Sequence, residues 1–239
     1  MWLLSSKVPV HKSRLLEGFR DCHCHLLPGV DDGVGKMEET MQILEEWEME
    51  GVTEVWLTPH IMEDMPNKPS ELRRRFTSLQ DRYSGTIKLH LAAEHMMDGL
   101  FAQRLENDDV LPIGEQGTRL LVETSYYTPP MNMKAIIDNI KKKGYEPILA
   151  HPERYQYMEK DDYKMWKKCG VLFQMNLPSI VGAYGQGVQR KAEWLLKENM
   201  YDYCGTDTHS IDHVEFFLSA IISKKTAKKL KKIQEKQEL

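Results

Sequence analysis

The chain has 239 residues, enough for one large domain or two small ones and well beyond the size at which disulfides must replace a core. Its formal charge of −4 excludes a global basic field of the kind that holds nucleic acid, and 41% hydrophobic with 28% charged residues is a globular balance, not that of a disordered chain. No apolar run approaches the roughly 18 residues of a membrane span, and the opening residues lack the basic and apolar regions of a secretory signal. With four cysteines and no CxxC pair, a cytoplasmic protein without membrane insertion is expected.

In chain order, residues 1–18 form an N-terminal extension, 19–25 read as a strand and 37–50 as a helix. A strand at 53–58, a helix at 70–83 and a strand at 87–94 follow. Next come a strand at 119–123, a helix at 132–143 closed by Gly144, a strand at 147–150 and a helix at 161–168 closed by Gly170. The series ends with a strand at 171–176, a helix at 188–199, a strand at 201–205 and a helix from 214 onward. Residues 95–118 and 178–186 read as loops with local structure. Alternation of seven strands with helices implies parallel strands and crossover connections. One α/β domain over 1–239, a closed or nearly closed (β/α) barrel, is expected, with an open doubly wound sheet as the alternative. Either places the working residues at the C-terminal ends of the strands. Residues 224–239 carry seven lysines and two glutamates, leaving −9 for the body. This basic tail reads as a solvated or frayed helix end, with contact to an acidic partner as the alternative.

Six of the nine histidines fall at or just past a predicted strand end: His23, His25, His60, His95, His151 and His209. Asp21, Asp31, Asp32, Glu94, Glu123, Glu153 and Asp207 accompany them. In Asp21-Cys-His23-Cys-His25 alternate residues share a strand face, so Asp21, His23 and His25 are expected to point inward, with Cys22 and Cys24 against the helices. Asp207-Thr-His209 repeats that spacing at the far end of the chain, and closing a barrel brings the first and last strands together. Imidazole and carboxylate together suit Zn, Mn or Fe.

Other chemistries fit poorly. No cysteine has an arginine six residues on, and there is no GxSxG elbow or P-loop. The glycine-rich stretch 182–187 lacks dinucleotide-binding spacing and reads as a turn. Tyr126 and Tyr127 are either loop packing or an aromatic wall for a substrate ring. Arg154, in His151-Pro-Glu-Arg-Tyr155, stands beside a cationic site, which is costly unless an anion lies between them. Phosphate meets that need through two parallel hydrogen bonds; an ion pair with Glu153 or a neighbouring acid is the alternative.

The ordered set Asp21-x-His23-x-His25, Asp31-Asp32-Gly33, Thr58-Pro59-His60, Ala93-Glu94, Ala150-His151-Pro-Glu-Arg154-Tyr155 and Asp207-x-His209 resembles the polymerase-and-histidinol-phosphatase (PHP) superfamily. Within it, the chain resembles the manganese-dependent protein tyrosine phosphatases of bacterial capsule and exopolysaccharide loci. The resemblance runs from about Arg20 to His209. It implies a distorted (β/α)7 barrel with three ions, usually Mn²⁺, with Fe or Zn as alternatives. His23, His25, Glu94 and Asp207 would hold the first ion, Glu94 and His151 the second, and Asp32, His60 and His209 the third. Arg154 would bind the substrate phosphate, and Asp21 would orient ligands. Catalytic roles fall to Arg154, His151 and Asp207; Tyr126, Tyr155 and His213 join Arg154 in contacting substrate. The subfamily often places a second arginine after the last ligand, where this chain has Ser210-Ile-Asp-His213. Two ions roughly 3.5–4 Å apart would hold the attacking hydroxide. The implied partner is the phosphorylated tail of a membrane-anchored tyrosine kinase, and an oligomer is compatible with the sequence. A small-molecule phosphatase acting on a compound such as histidinol phosphate, or a metal-binding regulator without turnover, would carry the same ligands.

Overall fold

Wall strands that are apolar on both faces can be covered on both faces, and this sequence supplies them in parallel. The computed structural model describes residues 7–237 and 239. Its strands are β1 (Lys7–Pro9), β2 (Arg20–Cys24), β3 (Glu54–Leu57), β4 (His60–Ile61), β5 (Lys88–Leu91), β6 (Glu94–Met96), β7 (Arg119–Glu123), β8 (Glu146–Ala150), β9 (Leu172–Asn176), β10 (Tyr203–Gly205) and β11 (Ile221–Ser223). The α-helices are α1 (Met37–Met49), α2 (Pro69–Gln80), α3 (Phe101–Glu106), α4 (Met133–Lys142), α5 (Lys160–Lys168), α6 (Gly185–Lys197), α7 (Ile211–Ser219) and α8 (Lys224–Gln234). Of the expected N-terminal extension, residues 1–6 lie outside the described residues.

The parallel strands form two sheets, β2-β3-β5 and β10-β9-β8-β7-β6-β4, while β1 and β11 pair antiparallel. The expected strand at 53–58 is β3, and a further short strand, β4, follows in the other sheet after Pro59, which has no N–H to donate; the expected strand at 87–94 is divided by Ala92-Ala93 into β5 and β6, one in each sheet. The whole curls until β2 meets β10. There Asp207 N donates to His23 O at 2.7 Å, His25 N donates to Thr208 O at 2.9 Å, and Cys24 makes a single bridge to Thr208. The result is a mixed α/β fold with a curled, parallel, half-barrel sheet.

Strand alternation separates two apolar regions. Trp56, Leu121, Ile148, Ala150 and Tyr203 fill the concave side beneath the strand ends. Leu120, Val122, Leu149, Phe173, Met175 and Cys204 face outward to the helices. Each helix answers with an apolar stripe: α1 buries Thr40, Ile43, Leu44 and Trp47 at the spacing of one helical face, and α4 buries Met133, Ile137 and Ile140. Glu159 and Asp162 form a capping box that starts α5. Gly144 and Gly170, at φ 90° and 71°, turn the chain out of α4 and α5.

Two expectations need correction. Cys22 lies in the concave cluster, because a register shift between Asp21 and Cys24 breaks the alternation; only Cys24 joins the helix-facing core. The helix expected from 214 onward is interrupted by β11, while the stretch 95–118 carries local structure as expected, in β6 and α3. Of the two forms expected of the basic tail, the structure has the solvated helix and not the frayed end: α8 exposes Lys224, Lys225, Lys228 and Lys232, buries Ala227 and Leu230, and Gln237 bonds the backbone of Arg20 and Cys204.

The seam between β2 and β10 requires glycine. A Cβ at Gly205 would lie 2.5 Å from His23 Cβ and 2.8 Å from Gln174 Nε2, with no room to relax between two backbones. Gly205→Ala should therefore lower stability by about 1–3 kcal/mol, read from the urea or thermal midpoint. An unchanged midpoint would show that the seam yields.

Candidate metal centre

The imidazoles expected at strand ends converge. His23 and His25, at the end of β2, bring their Nε2 atoms to 3.1 Å from each other. Glu94 Oε2, from the start of β6, lies 3.2 Å from His23 Nε2 and 3.3 Å from His25 Nε2. Asp207 Oδ1, just past β10, is 3.5 Å from His23 Nε2 and 3.3 Å from His25 Nε2. His151, after β8, reaches Glu94 Oε1 at 2.9 Å. His60, opening β4, lies 3.2 Å from Glu94 and 3.0 Å from Glu123. Asp32 is shared between His60 at 3.5 Å and His209 at 3.6 Å, and its side chain is 54% exposed. All eight expected ligands thus meet at one end of the curled sheet.

Their candidate ligand atoms fall into overlapping groups within 4.8 Å: His25, Asp32, His60 and His209; His23, His25 and Asp207; His23, Glu94 and His151; and His60, Glu94 and Glu123. Glu94 belongs to two groups, as a bridging carboxylate would. The donor set fits cations better than protons do. Glu94 Oε2, Glu123 Oε1, His60 Nδ1 and His151 Nδ1 are buried and lack hydrogen-bond partners, although charged neighbours lie within reach. Imidazole and carboxylate are the ligand types of Mn, Fe and Zn sites.

The electrostatics point the same way. Burial opposes charge on His23, but Glu94 and Asp207 outweigh it and raise its pKa to about 9. Burial also opposes charge on His25, which Asp207, Asp31 and Glu94 hold well above the usual range. Glu94 and Asp207 would rise on burial alone, yet the facing histidines, with Arg154 beside Asp207, keep both well below the usual carboxylate range. His209 draws Asp32 down to about 2. Protons on the imidazoles here stand in for the positive charge that ions bring.

A surrounding layer orients these groups. Asp31 accepts from His25 Nδ1 at 2.9 Å and from His60 N at 3.1 Å. Gln174 Oε1 pairs with His23 Nδ1 at 3.0 Å and accepts from His151 N at 3.1 Å. Asp21 joins Thr206 to the β2 end, accepting from the Thr206 hydroxyl at 2.5 Å, from its N–H at 2.9 Å and from His23 N at 3.1 Å. Burial raises Asp21 to about 6 against those bonds. His151 and Asp207 hold φ of 31° and 52°, a left-handed backbone that costs an L-residue energy and recurs at functional sites.

Arg154 does not pair with Glu153, which is buried and accepts from Asn176 N and Tyr201 OH. Its Nη1 donates to Asp207 Oδ2 at 2.7 Å, and its side chain is only 17% exposed. The guanidinium lies 4.4 Å from the Tyr126 ring centroid and 4.3 Å from that of Tyr184. Asn176 Nδ2 donates to Asp207 Oδ2 at 2.7 Å and to Tyr184 OH at 3.1 Å. Arg154, Tyr126, Tyr184, His209 and His213 line one open cleft of about 530 Å³.

Tyr155 does not reach the cleft. It is fully buried, donates to Ala150 O at 2.9 Å, and its ring packs 5.8 Å from that of His151. It supports His151 from behind in place of the substrate contact expected of it. His95 also turns away: it accepts from Leu111 N at 3.2 Å, and burial lowers its pKa to about 4. Sequence reasoning passed over Gln174 and Asn176. Two polar residues sharing one face of an otherwise apolar strand were the available signal. Glu123 had been placed among the carboxylates without a ligand role. Tyr184, inside a glycine-rich turn, carried no signal.

Residues 19–236 match the family described as capsular polysaccharide synthesis, CpsB/CapC. The chain is 24% identical to CapC of Staphylococcus aureus over 87% of this chain and 84% of that one. It is 25% identical to tyrosine-protein phosphatase YwqE of Bacillus subtilis over 80% and 77% of the two chains. Its fold superposes, at a TM-score of 0.76 and 22% identity, on 86% of a chain from crystal structures of YwqE from Bacillus subtilis and CpsB from Streptococcus pneumoniae, described as metal-dependent tyrosine phosphatases; 89% of this chain is covered. With its matching segment spanning nearly the entire sequence, the chain belongs to the CpsB/CapC family of capsular polysaccharide synthesis.

Proposed function

We propose that this chain is a metal-dependent protein tyrosine phosphatase that regulates capsule or exopolysaccharide synthesis by dephosphorylating the tail of a membrane-anchored tyrosine kinase at its cytoplasmic side. The observation that carries this reading is the meeting of four overlapping His/Asp/Glu groups and a buried arginine in one cleft. The two interrupted sheets act as the wall of a distorted (β/α)7 barrel. His23, His25, Glu94 and Asp207 would hold one divalent ion, Glu94 and His151 a second, and Asp32, His60 and His209 a third, with Mn²⁺ as the metal. Glu123 is placed to join His60 and Glu94.

Bound divalent ions supply Lewis acidity and an activated water for in-line attack on phosphorus. The chain's own residues prepare the rest. Arg154 is held in its plane by two tyrosine rings and one carboxylate, so it meets a phosphate without first losing rotamer freedom. Tyr126 and Tyr184 also cover the guanidinium from water, which strengthens its pull on phosphoryl oxygens. A tyrosine leaving group, with a pKa of about 10, departs with little help from a general acid. His213, which lines the cleft four residues after His209, takes the place of the arginine that the resemblance puts after the last ligand.

Chelator treatment should abolish hydrolysis of phosphotyrosine peptides, and Mn²⁺ should restore it better than Mg²⁺, which prefers oxygen ligands. Full turnover in excess chelator, with no metal by elemental analysis, would sink the metal reading. Phosphoserine peptides and histidinol phosphate, run beside phosphotyrosine, test the substrate class.

Arg154→Ala should reduce kcat/KM by roughly 10²–10³-fold, with Arg154→Lys recovering only part. Near-normal turnover in the folded, metal-loaded alanine variant would reject Arg154 as the phosphate anchor.

Cys22, Cys24 and Cys204 are buried, and burial pushes all three thiols up, away from the reactive thiolate. Replacing each by Ser should leave turnover within several-fold of the parent. Trapping a phosphocysteine would overturn the mechanism.

A further inference from the structure

The helix that closes the sequence has a charge pattern that the phosphatase reading does not use. Within α8 and just beyond it, Lys224, Lys225, Lys228, Lys229, Lys232 and Lys236 make no ion pair among the described residues. They stand at i, i+4 spacings to one another, where like charges repel and weaken a helix. A solvated helix face usually interleaves acids to relieve this; here only Glu235 interrupts the run. The helix that carries the array is roughly 16 Å long at 1.5 Å per residue.

The helix is nevertheless fixed. Ala227 and Leu230 are buried, Ser223 caps its start, and Lys231 donates to the backbone of Arg14 and Glu17. Lysines on both flanks are extended by further cations. Lys224 and Lys228 share a concavity with Lys12 and Arg14. Lys229, Lys232 and Lys236 rim another with Arg119. Two large apolar side chains stand exposed just ahead of the helix, Phe216 at 48% and Ile221 at 56%.

We propose that this face is a docking platform for an anionic lipid bilayer. A fixed, self-repelling cationic array is relieved by a polyanionic surface, and the −9 charge of residues 1–223 orients the molecule with α8 toward it. The exposed Phe216 and Ile221, just ahead of α8 in the chain, favour lipid over nucleic acid, since peripheral anchoring combines a basic patch with an apolar contact. The placement is also productive. Gln237 ties this end of the chain to Arg20, the first residue of β2, whereas the ligand residues His25 and Asp207 follow the other ends of β2 and β10. A molecule seated on α8 turns its cleft away from the lipid.

The test is flotation of the full chain with vesicles of phosphatidylcholine alone and of phosphatidylcholine mixed with phosphatidylglycerol. Binding is expected only with phosphatidylglycerol and should fall steeply with added salt. Replacing Lys224, Lys225, Lys228 and Lys229 together by Gln should weaken it at least ~100-fold, while replacing all four by Arg should retain it. Both variants should hydrolyse free phosphotyrosine at the parent rate, which separates this result from any failure of the phosphatase reading. Equal binding to both vesicle types, binding to neither, or unchanged binding by the folded Gln variant overturns the proposal. Capture on polyglutamate or duplex DNA without vesicle binding overturns lipid as the partner.

Discussion

The approach of β2 to β10 governs everything above it. The two strands share no continuous ladder; they are held by a few backbone bonds around Asp207 and Thr208 and by Asp21 gripping Thr206. A glycine at position 205 lets the chains come close enough for this. Residues separated by most of the sequence, His23 and His25 at one end and Asp207 and His209 at the other, thereby become neighbours. The helices serve this meeting by covering the outer face, and the apolar concave cluster serves it by filling the space beneath.

That filling matters for the electrostatics. Beneath the ligands lie Leu121, Ile148, Ala150 and Trp56, which offer no dipoles to the groups above them. Charges in such a setting interact strongly and must be satisfied by one another or by ions. Opposed pKa shifts follow, histidines upward and carboxylates downward. Arg154 would be an expensive neighbour there. Asp207, shared with Asn176 and both β2 histidines, makes it tolerable.

Much of this was legible in the residue order. Arg119–Glu123 was read to the residue, because its apolar run has clear polar bounds. The gathering of His23, His25, His60, His151 and His209 followed from their positions after strands, since parallel strands present one kind of end together. What escaped detection depends on distant packing. The break after Leu57 was signalled by Pro59 but could as well have ended the strand. The turn of Asp21 toward Thr206 comes from a register shift that alternation does not encode. Tyr155 and Tyr126 are near one another in space, yet only the latter faces the cleft, because the 3-10 turn after His151 points Tyr155 inward. Tyr184 reaches Arg154 across a loop whose path no local pattern fixes.

The left-handed backbone at His151 and Asp207 has a consequence for descent. Most L-residues are strained at such angles, and Asn and Gly are the ones that adopt them with least cost. Position 207 must therefore satisfy the main chain before it can satisfy chemistry. A lineage that abandons the acidic group there meets a narrow exit: Asn or Gly keeps the turn, while Ala, Val or Leu strains it. Loss of turnover along such a lineage would leave a recognisable scar, an amide or a bare α-carbon where the carboxylate stood, within an otherwise intact strand end.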